Sequence, residues 1–428
     1  MDFTHSGRQS DICVWHVIML FHEVEHIEHK QVYLKALFTL ILKENDQLKI
    51  TSSMDDRQGH MGSRVGNEQH SLQKPTSWHA GAVYILVFFM CFGQSCQTIT
   101  ADPNEVKSHT WKEAFQFLGF NWTLTREIGG PYLNATPHRE NPDQIALSKD
   151  VQLNLPGSNF NSFIRLYIPT EIPRETKLPV IIYIHGGGFV QYRASSAIYH
   201  YHLNNMTARV RAVIASVEYR LAPENPLPAS YEDALHAILW LKSQAQCCHH
   251  RDPWLDQYAD FSKVFLLGES AGGNIAYHAV LRATTHNLQP MTIQGVILDQ
   301  AFFGGVKRTS SELRLIEDTY LPLYVNDAYW TLSLPFQANR DHKFSNPFIH
   351  GFDRVKRVPR WFVKDDEGDP LIDRSKEFVR LLELYEVPVF YRFYPGGYHG
   401  VELLDFEAAL VFFHDVKTFI YYTGVAED

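Results

Sequence analysis

Hydrophobic and polar positions divide the 428-residue chain near residue 110. Beyond that point short apolar runs recur, each closed by glycine or by charged residues. "LPVIIYIHGGGF" predicts a buried strand over Val180–Ile184, "RAVIASVEY" one over Val213–Tyr219, and "KVFLLGES" one over Val264–Leu267. "IQGVILDQAFF", "RWFVKDD" and "VPVFYRFYP" predict three more. These runs are rich in Val and Ile and do not alternate, which is how strands buried on both faces of a mostly parallel sheet read.

Helical periods lie between the runs. "PASYEDALHAILWLKSQA" puts Ala234, Ile238 and Leu241 on one face, behind a proline suited to a helix start. "AGGNIAYHAVLRA" follows Ser270, "DRSKEFVRLLELYE" follows an acidic loop with Asp373 as its expected N-cap, and "LDFEAALVFFHDVKTFIYYTG" is the last helical stretch. Strands alternating with helices imply an α/β fold, with a mostly parallel sheet covered on both sides. No internal repeat is visible.

Residues 1–110 read differently, as an atypical extension that is partly disordered. "VWHVIMLFHEVEHIEHKQVYLKALFTLIL" suits a helix, whereas "NDQLKITSSMDDRQGHMGSRVGNEQHSLQKPTS" is polar and lacks a core pattern. His22, His26 and His29 share helical spacing, but no cysteine or acid set completes a metal sphere, so exposed histidine is the expectation. "AVYILVFFMCFG", Ala82–Gly93, is too short to span a membrane and starts too far from Met1 for an ordinary signal peptide. It leaves secretion open beside the expected cytoplasmic location.

Composition narrows the class. Hydrophobic residues make up 45% and charged residues 20%, as in an ordinary globular protein. A formal net charge of -9 argues against nucleic acid as a partner and is silent about small neutral substrates. The cysteines (Cys13, Cys91, Cys96, Cys247 and Cys248) are odd in number and irregularly spaced, which suggests reduced thiols rather than a disulfide framework or zinc site. The sequons at Asn121, Asn134 and Asn205 matter only in a secreted protein.

Chemistry enters at "GESAG". Ser270 stands where a strand ends and a helix begins, the setting of a nucleophile elbow, although glycines there also serve close helix–strand packing. "HGGGF", His185 to Phe189, also follows a strand and lies upstream of Ser270. Its consecutive glycines expose backbone N–H groups, so Gly187 and Gly188, with Ala271 after the serine, are candidate donors to an oxyanion. His185 is expected to shape this loop rather than transfer protons.

A serine nucleophile needs a base and an acid. His399 lies in a loop after the last strand and before the last helix, the place of a base in the order serine, acid, histidine. "KDDEGDPLIDRS" offers Asp365, Asp366, Glu367, Asp369 and Asp373. Asp365 and Asp366 end the strand and Asp373 fits a helix start. Asp369, between Gly368 and Pro370, is the choice.

"HGGGF", "SVEYRLAPENPLPASYEDA", "GESAGGN", "GDPLID" and "YHG" together resemble the plant carboxylesterase family, in the hormone-sensitive-lipase group of α/β-hydrolases. "QAFFGG" and "FSNP" point to its carboxylesterase 8 branch. The resemblance starts near Trp111. It implies an α/β-hydrolase domain over 111–428, with a cap from its N-terminal part and from about 304–340. It also implies Ser270 as nucleophile, Asp369 as acid, His399 as base, and His185, Gly186, Gly187 and Gly188 as the oxyanion-hole motif.

Asp366, Glu367 and Gly368 stand where that family usually has small residues such as Gly-Gly, and the extra negative charge could raise the imidazole pKa and alter the pH optimum. Glu269 replaces the usual Asp or Ser, a mild change. The implied activity is hydrolysis of small-molecule carboxylic esters through an acyl-enzyme, with no metal or cofactor and no stable membrane insertion. Two other activities occur on this scaffold: a gibberellin-receptor type of hormone binding, disfavoured by the presence of His399, and a hydroxyisoflavanone-type dehydration. Phe189, Phe302, Phe303 and Tyr320 suit either an apolar pocket or the core. Oligomeric state is not readable.

Overall fold

A computed structural model describes residue 136 and residues 145–421, apart from 156, 158, 174, 247, 248, 250, 350 and 351. The 1–110 extension, its histidines, the 82–93 stretch, the sequons at Asn121 and Asn134 and all five cysteines lie outside the described residues.

Eight strands form one sheet in the order β1-β2-β4-β3-β5-β6-β7-β8. In chain order they are β1 Ala146–Leu153, β2 Ser162–Pro169, β3 Leu178–Ile184, β4 Val213–Val217, β5 Ala259–Glu269, β6 Ile293–Asp299, β7 Trp361–Asp366 and β8 Val389–Tyr394. From β4 to β8 all neighbours are parallel. β1 and β2 add an antiparallel margin. The six expected strands are present and the α/β expectation holds.

β1 and β2 went unpredicted, and their residues explain why. β1 is an edge strand with alternating burial and carries Lys149 and Asp150, so it lacks a continuous apolar run. β2 buries Arg165, whose guanidinium pairs with Asp150 across the β1–β2 ladder at 2.6 Å. β5 starts at Ala259, five positions earlier than its apolar run, because a register shift against β3 near Pro179 accommodates Ser262 and Lys263.

Helices cover both faces. The main ones are α1 Ala197–Met206, α2 Ala229–Gln246, α3 Pro253–Tyr258, α4 Ala271–Ala283, α5 Ser310–Arg314, α6 Leu323–Ser333, α7 Ile372–Leu384, α8 Val401–Leu404 and α9 Phe406–Tyr421. Alternate residues of β3 divide between two cores. Val180, Ile182 and Ile184 pack with Ile238 and Leu241 of α2, Ile275 of α4 and Phe378 of α7. Ile181 and Tyr183 pack with Leu203 of α1 and Phe412, Val416 and Phe419 of α9. A strand with a core on each side must be apolar at every position, which is the pattern β3 shows.

Asn205 sits inside α1 and gives its carboxamide N–H to Tyr201 O. Among the described residues no helix is long and apolar enough to cross a membrane. The segment between β6 and β7 carries α5 and α6.

Candidate active site

Strand order brings the two glycine motifs together. β3 and β5 are hydrogen-bonded neighbours with Ile184 opposite Gly268, so the loops after both strands open at one place. β4 lies beyond β3 on one side and β5 on the other, so the chain reverses its winding there. Such a switch point at the carboxyl ends of strands leaves a crevice for a ligand.

Ser270 occupies a sharp turn between β5 and α4, with φ 52° and ψ -120°. A non-glycine residue holds this strained conformation only where its surroundings enforce it. Its N–H donates to Asp299 O at 2.9 Å and its carbonyl accepts from Phe302 N–H at 2.8 Å. The turn also demands a close crossing of α4 over β3. A Cβ on Gly272 would lie 2.6 Å from His185 O and 2.7 Å from Ile184 C, both backbone atoms that cannot move aside.

Ser270 Oγ lies 2.9 Å from His399 Nε2, and His399 Nδ1 lies 2.7 Å from Asp369 Oδ2. Asp369 is fully buried, and its Oδ1 accepts the N–H of Leu371 at 2.8 Å. With Nδ1–H donated to the carboxylate, Nε2 is free to accept the serine proton. Burial lowers the His399 pKa, but the charge and hydrogen bond of Asp369, helped by Glu269 and Asp318, outweigh it and the net shift is upward.

The other acids are engaged elsewhere. Asp365 accepts from Ser375 Oγ at 2.5 Å, Asp366 pairs with Lys364, and Glu367 pairs with Lys376 at 2.7 Å. Beyond Asp369, the charges that do most to raise the imidazole are Glu269 and Asp318, while Asp366 and Glu367 are paired with lysines. Asp373 is not the N-cap of α7. It is the second helical residue, and its carboxylate accepts from Ser311 N–H at 2.8 Å.

The glycine loop sorts its own candidates. Gly186 N–H donates to Tyr199 Oη at 3.1 Å and is committed. Gly187 has φ 101° and Gly188 φ 59°, values open to glycine but costly for a side chain. This turn directs Gly187 O to the N–H groups of Val190 and Gln191, at 3.0 and 2.9 Å. The N–H groups of Gly187, Gly188 and Ala271 have no acceptor among the described residues. Ala271 is also the first residue of α4, where the helix dipole favours negative charge.

His185 is fully buried, stacked on Tyr219 at 4.2 Å, with Nδ1 2.8 Å from Gly186 O. Burial pushes its pKa down to about 3, so the ring is neutral.

Two residues carry weight that sequence reasoning missed. Glu269 is buried and accepts from Tyr183 Oη at 3.1 Å; burial and the nearby Asp299 push its pKa up to about 8. Asp318 lies on the loop before α6, its Oδ1 accepting from Tyr320 and Leu321 N–H at 2.8 and 2.7 Å. That loop meets the loop of His399 where Tyr320 stacks on Tyr398 at 4.1 Å. Nothing in the spacing of these residues announces the contact. Phe189, Phe302 and Phe303 belong to the core, with Phe302 stacked on Trp330 at 4.7 Å. Among the described residues no group of His, Cys, Asp or Glu could hold a metal ion.

A family model described as alpha/beta hydrolase fold matches residues 181–403. Over 298 residues the chain is 42% identical to a probable carboxylesterase 8 of Arabidopsis thaliana, covering 67% of this chain and 88% of that protein. It is 41% identical over 308 residues to a 3-O-acetylpapaveroxine carboxylesterase of Papaver somniferum, covering 70% of this chain and 92% of the relative. In fold it is similar to an esterase of Pyrobaculum calidifontis, with TM-score 0.55 and 21% identity over 77% of this chain and 98% of that one.

Proposed function

The chain belongs to the plant carboxylesterase family of α/β-hydrolases, and from that premise we propose that it is a serine carboxylesterase acting on small-molecule esters. The observation that carries the reading is the unbroken line from Ser270 Oγ through His399 to Asp369, at 2.9 and 2.7 Å.

In this reading His399 Nε2 takes the Ser270 proton as Oγ attacks the ester carbonyl. Asp369 keeps the imidazole in the required tautomer and stabilises the imidazolium. The carbonyl oxygen gains charge as the tetrahedral intermediate forms, and the N–H groups of Gly187, Gly188 and Ala271 hold it. His399 then passes the proton to the departing alcohol, leaving an acyl-enzyme. Water attacks that ester with His399 again as base, and Ser270 regains its proton as the acid leaves. His185, neutral and committed to Gly186 O, holds the loop and takes no part in proton transfer.

Two relatives are named for an O-acetyl ester, so an acetyl ester is the first substrate to test. Wild-type protein is expected to hydrolyse p-nitrophenyl acetate and to react with a fluorophosphonate probe. Ser270→Ala is expected to lower kcat by about 10⁴-fold or more and abolish labelling. Full activity in Ser270→Ala would sink the proposal. Tight hormone binding without turnover by wild-type protein would favour a receptor instead.

A further inference from the structure

Gln300 follows β6, is fully buried, and has φ 46°. A non-glycine residue keeps such a conformation where the surrounding structure over-determines it. Its N–H donates to Lys364 O at 2.9 Å, fixing it beside the end of β7. Its carboxamide then reaches the loop of the base. Nε2 donates to Tyr398 O and to Asp366 Oδ2, each at 2.9 Å, and Oε1 accepts from Gly400 N–H at 2.5 Å. Tyr398 and Gly400 are the two neighbours of His399.

The amide has one workable orientation. Reversed, Oε1 would face a carbonyl and a carboxylate, and Nε2 would face an N–H. Asp366 is held in turn by Lys364, which is buried among Asp299, Asp366 and Glu402. The loop needs such a hold because Gly396, Gly397 and Gly400 all have positive φ, and a Cβ at Gly396 or Gly400 would meet nothing within 4 Å. A chain so poor in side chains does not fix its own path.

We propose that Gln300 is a positioning residue for His399: its carboxamide binds the chain on both sides of the imidazole and ties that segment to the buried Lys364–Asp366 pair. Asp366, held by Lys364, is the anchor of this clamp. The role rests on the serine-esterase reading for its consequence, but the clamp acts on His399 whether or not an ester is turned over.

The test uses the full chain. Gln300→Met keeps side-chain length and removes all three carboxamide bonds. On p-nitrophenyl acetate its kcat is expected to fall about 10- to 100-fold with KM within about twofold, since a small misplacement of a catalytic group costs that much. A second readout is independent of turnover: the low-field Nδ1–H proton resonance of His399, identified by its loss in His399→Asn. In Gln300→Met that proton is expected to exchange faster with water and broaden. An unchanged kcat and an unchanged resonance in a folded Gln300→Met would overturn the inference.

Gln300→Glu keeps the acceptor for Gly400 and loses the donor to Tyr398 O and Asp366. It carries the same test if the Met variant does not fold, with the same direction expected and unchanged values again overturning the clamp. A wild-type protein that neither hydrolyses esters nor labels at Ser270 would sink the esterase reading alone, and the imidazole proton would still report whether Gln300 holds His399.

Discussion

Ser270 stands on a turn between a buried strand end and a helix buried at every residue but Arg282, whereas His399 stands on a glycine-rich loop beyond the edge strand β8. The first is shaped by backbone: glycines let α4 press on β3, and main-chain bonds from Asp299 and Phe302 pin the serine. The second is shaped by side chains from elsewhere in the sequence: Gln300 on its flanks, Asp369 on the ring, and Tyr320 stacked on Tyr398. One partner of the proposed proton transfer is built into the fold, and the other is attached to it. Damage to the elbow should therefore cost the fold, and damage to the loop should cost the chemistry.

The largest effect on the fold is expected at the elbow. Gly272→Ala pushes a methyl group into the backbone of Ile184 and His185, so α4 must back away from the sheet. Thermal unfolding should show a loss of about 3 kcal/mol, or roughly 6–12 °C in midpoint, together with lost probe labelling. A normal midpoint would break the comparison on its structural side.

Asp369→Asn tests the loop. Asparagine can still accept the Leu371 N–H but no longer holds the imidazole in the right tautomer, so kcat should drop by about 10⁴-fold while the unfolding midpoint changes little. Equal losses of stability and activity would show that the loop of His399 is built into the fold after all.

The smallest effect tests whether the elbow speaks to the loop. In the proposed mechanism activity needs a neutral His399, whose pKa is raised, so it should fall as pH drops through that raised value. Glu269→Gln removes one raising charge and moves this acid limb to lower pH. Glu269 is itself pushed up to about 8 and is mostly protonated at neutral pH, so the shift in the kcat/KM profile should stay below about one pH unit. A shift to higher pH would mean that Glu269 acts on His399 by another route than charge.

What could be read in the sequence divides along the same line. The parallel strands were legible because a strand between two cores must be apolar throughout, as β3 is. β1 and β2 were not, since one alternates at an edge and the other hides a paired arginine. The nearness of Ser270, Asp369 and His399 follows from strand order, with β5, β7 and β8 ending on one side of a parallel array. The glycine motifs were legible because close backbone approach requires them in sequence. Gln300, Asp318 and the ties of Asp366 were illegible because tertiary contacts between distant segments leave no periodic or short-range mark. Asp373 looked like a cap because its position suits one, yet its carboxylate is taken by Ser311.

The near-total burial of α4 has a consequence for altering this protein by directed evolution. A helix without a free face offers library positions that mostly yield unfolded clones. The crossover between β6 and β7 is the opposite: Leu313, Ile316 and Phe336 are exposed there, and Tyr320 on its loop stacks on Tyr398 beside His399. Randomising that crossover while leaving α4 intact concentrates diversity where the chain tolerates it and where an incoming molecule would feel it.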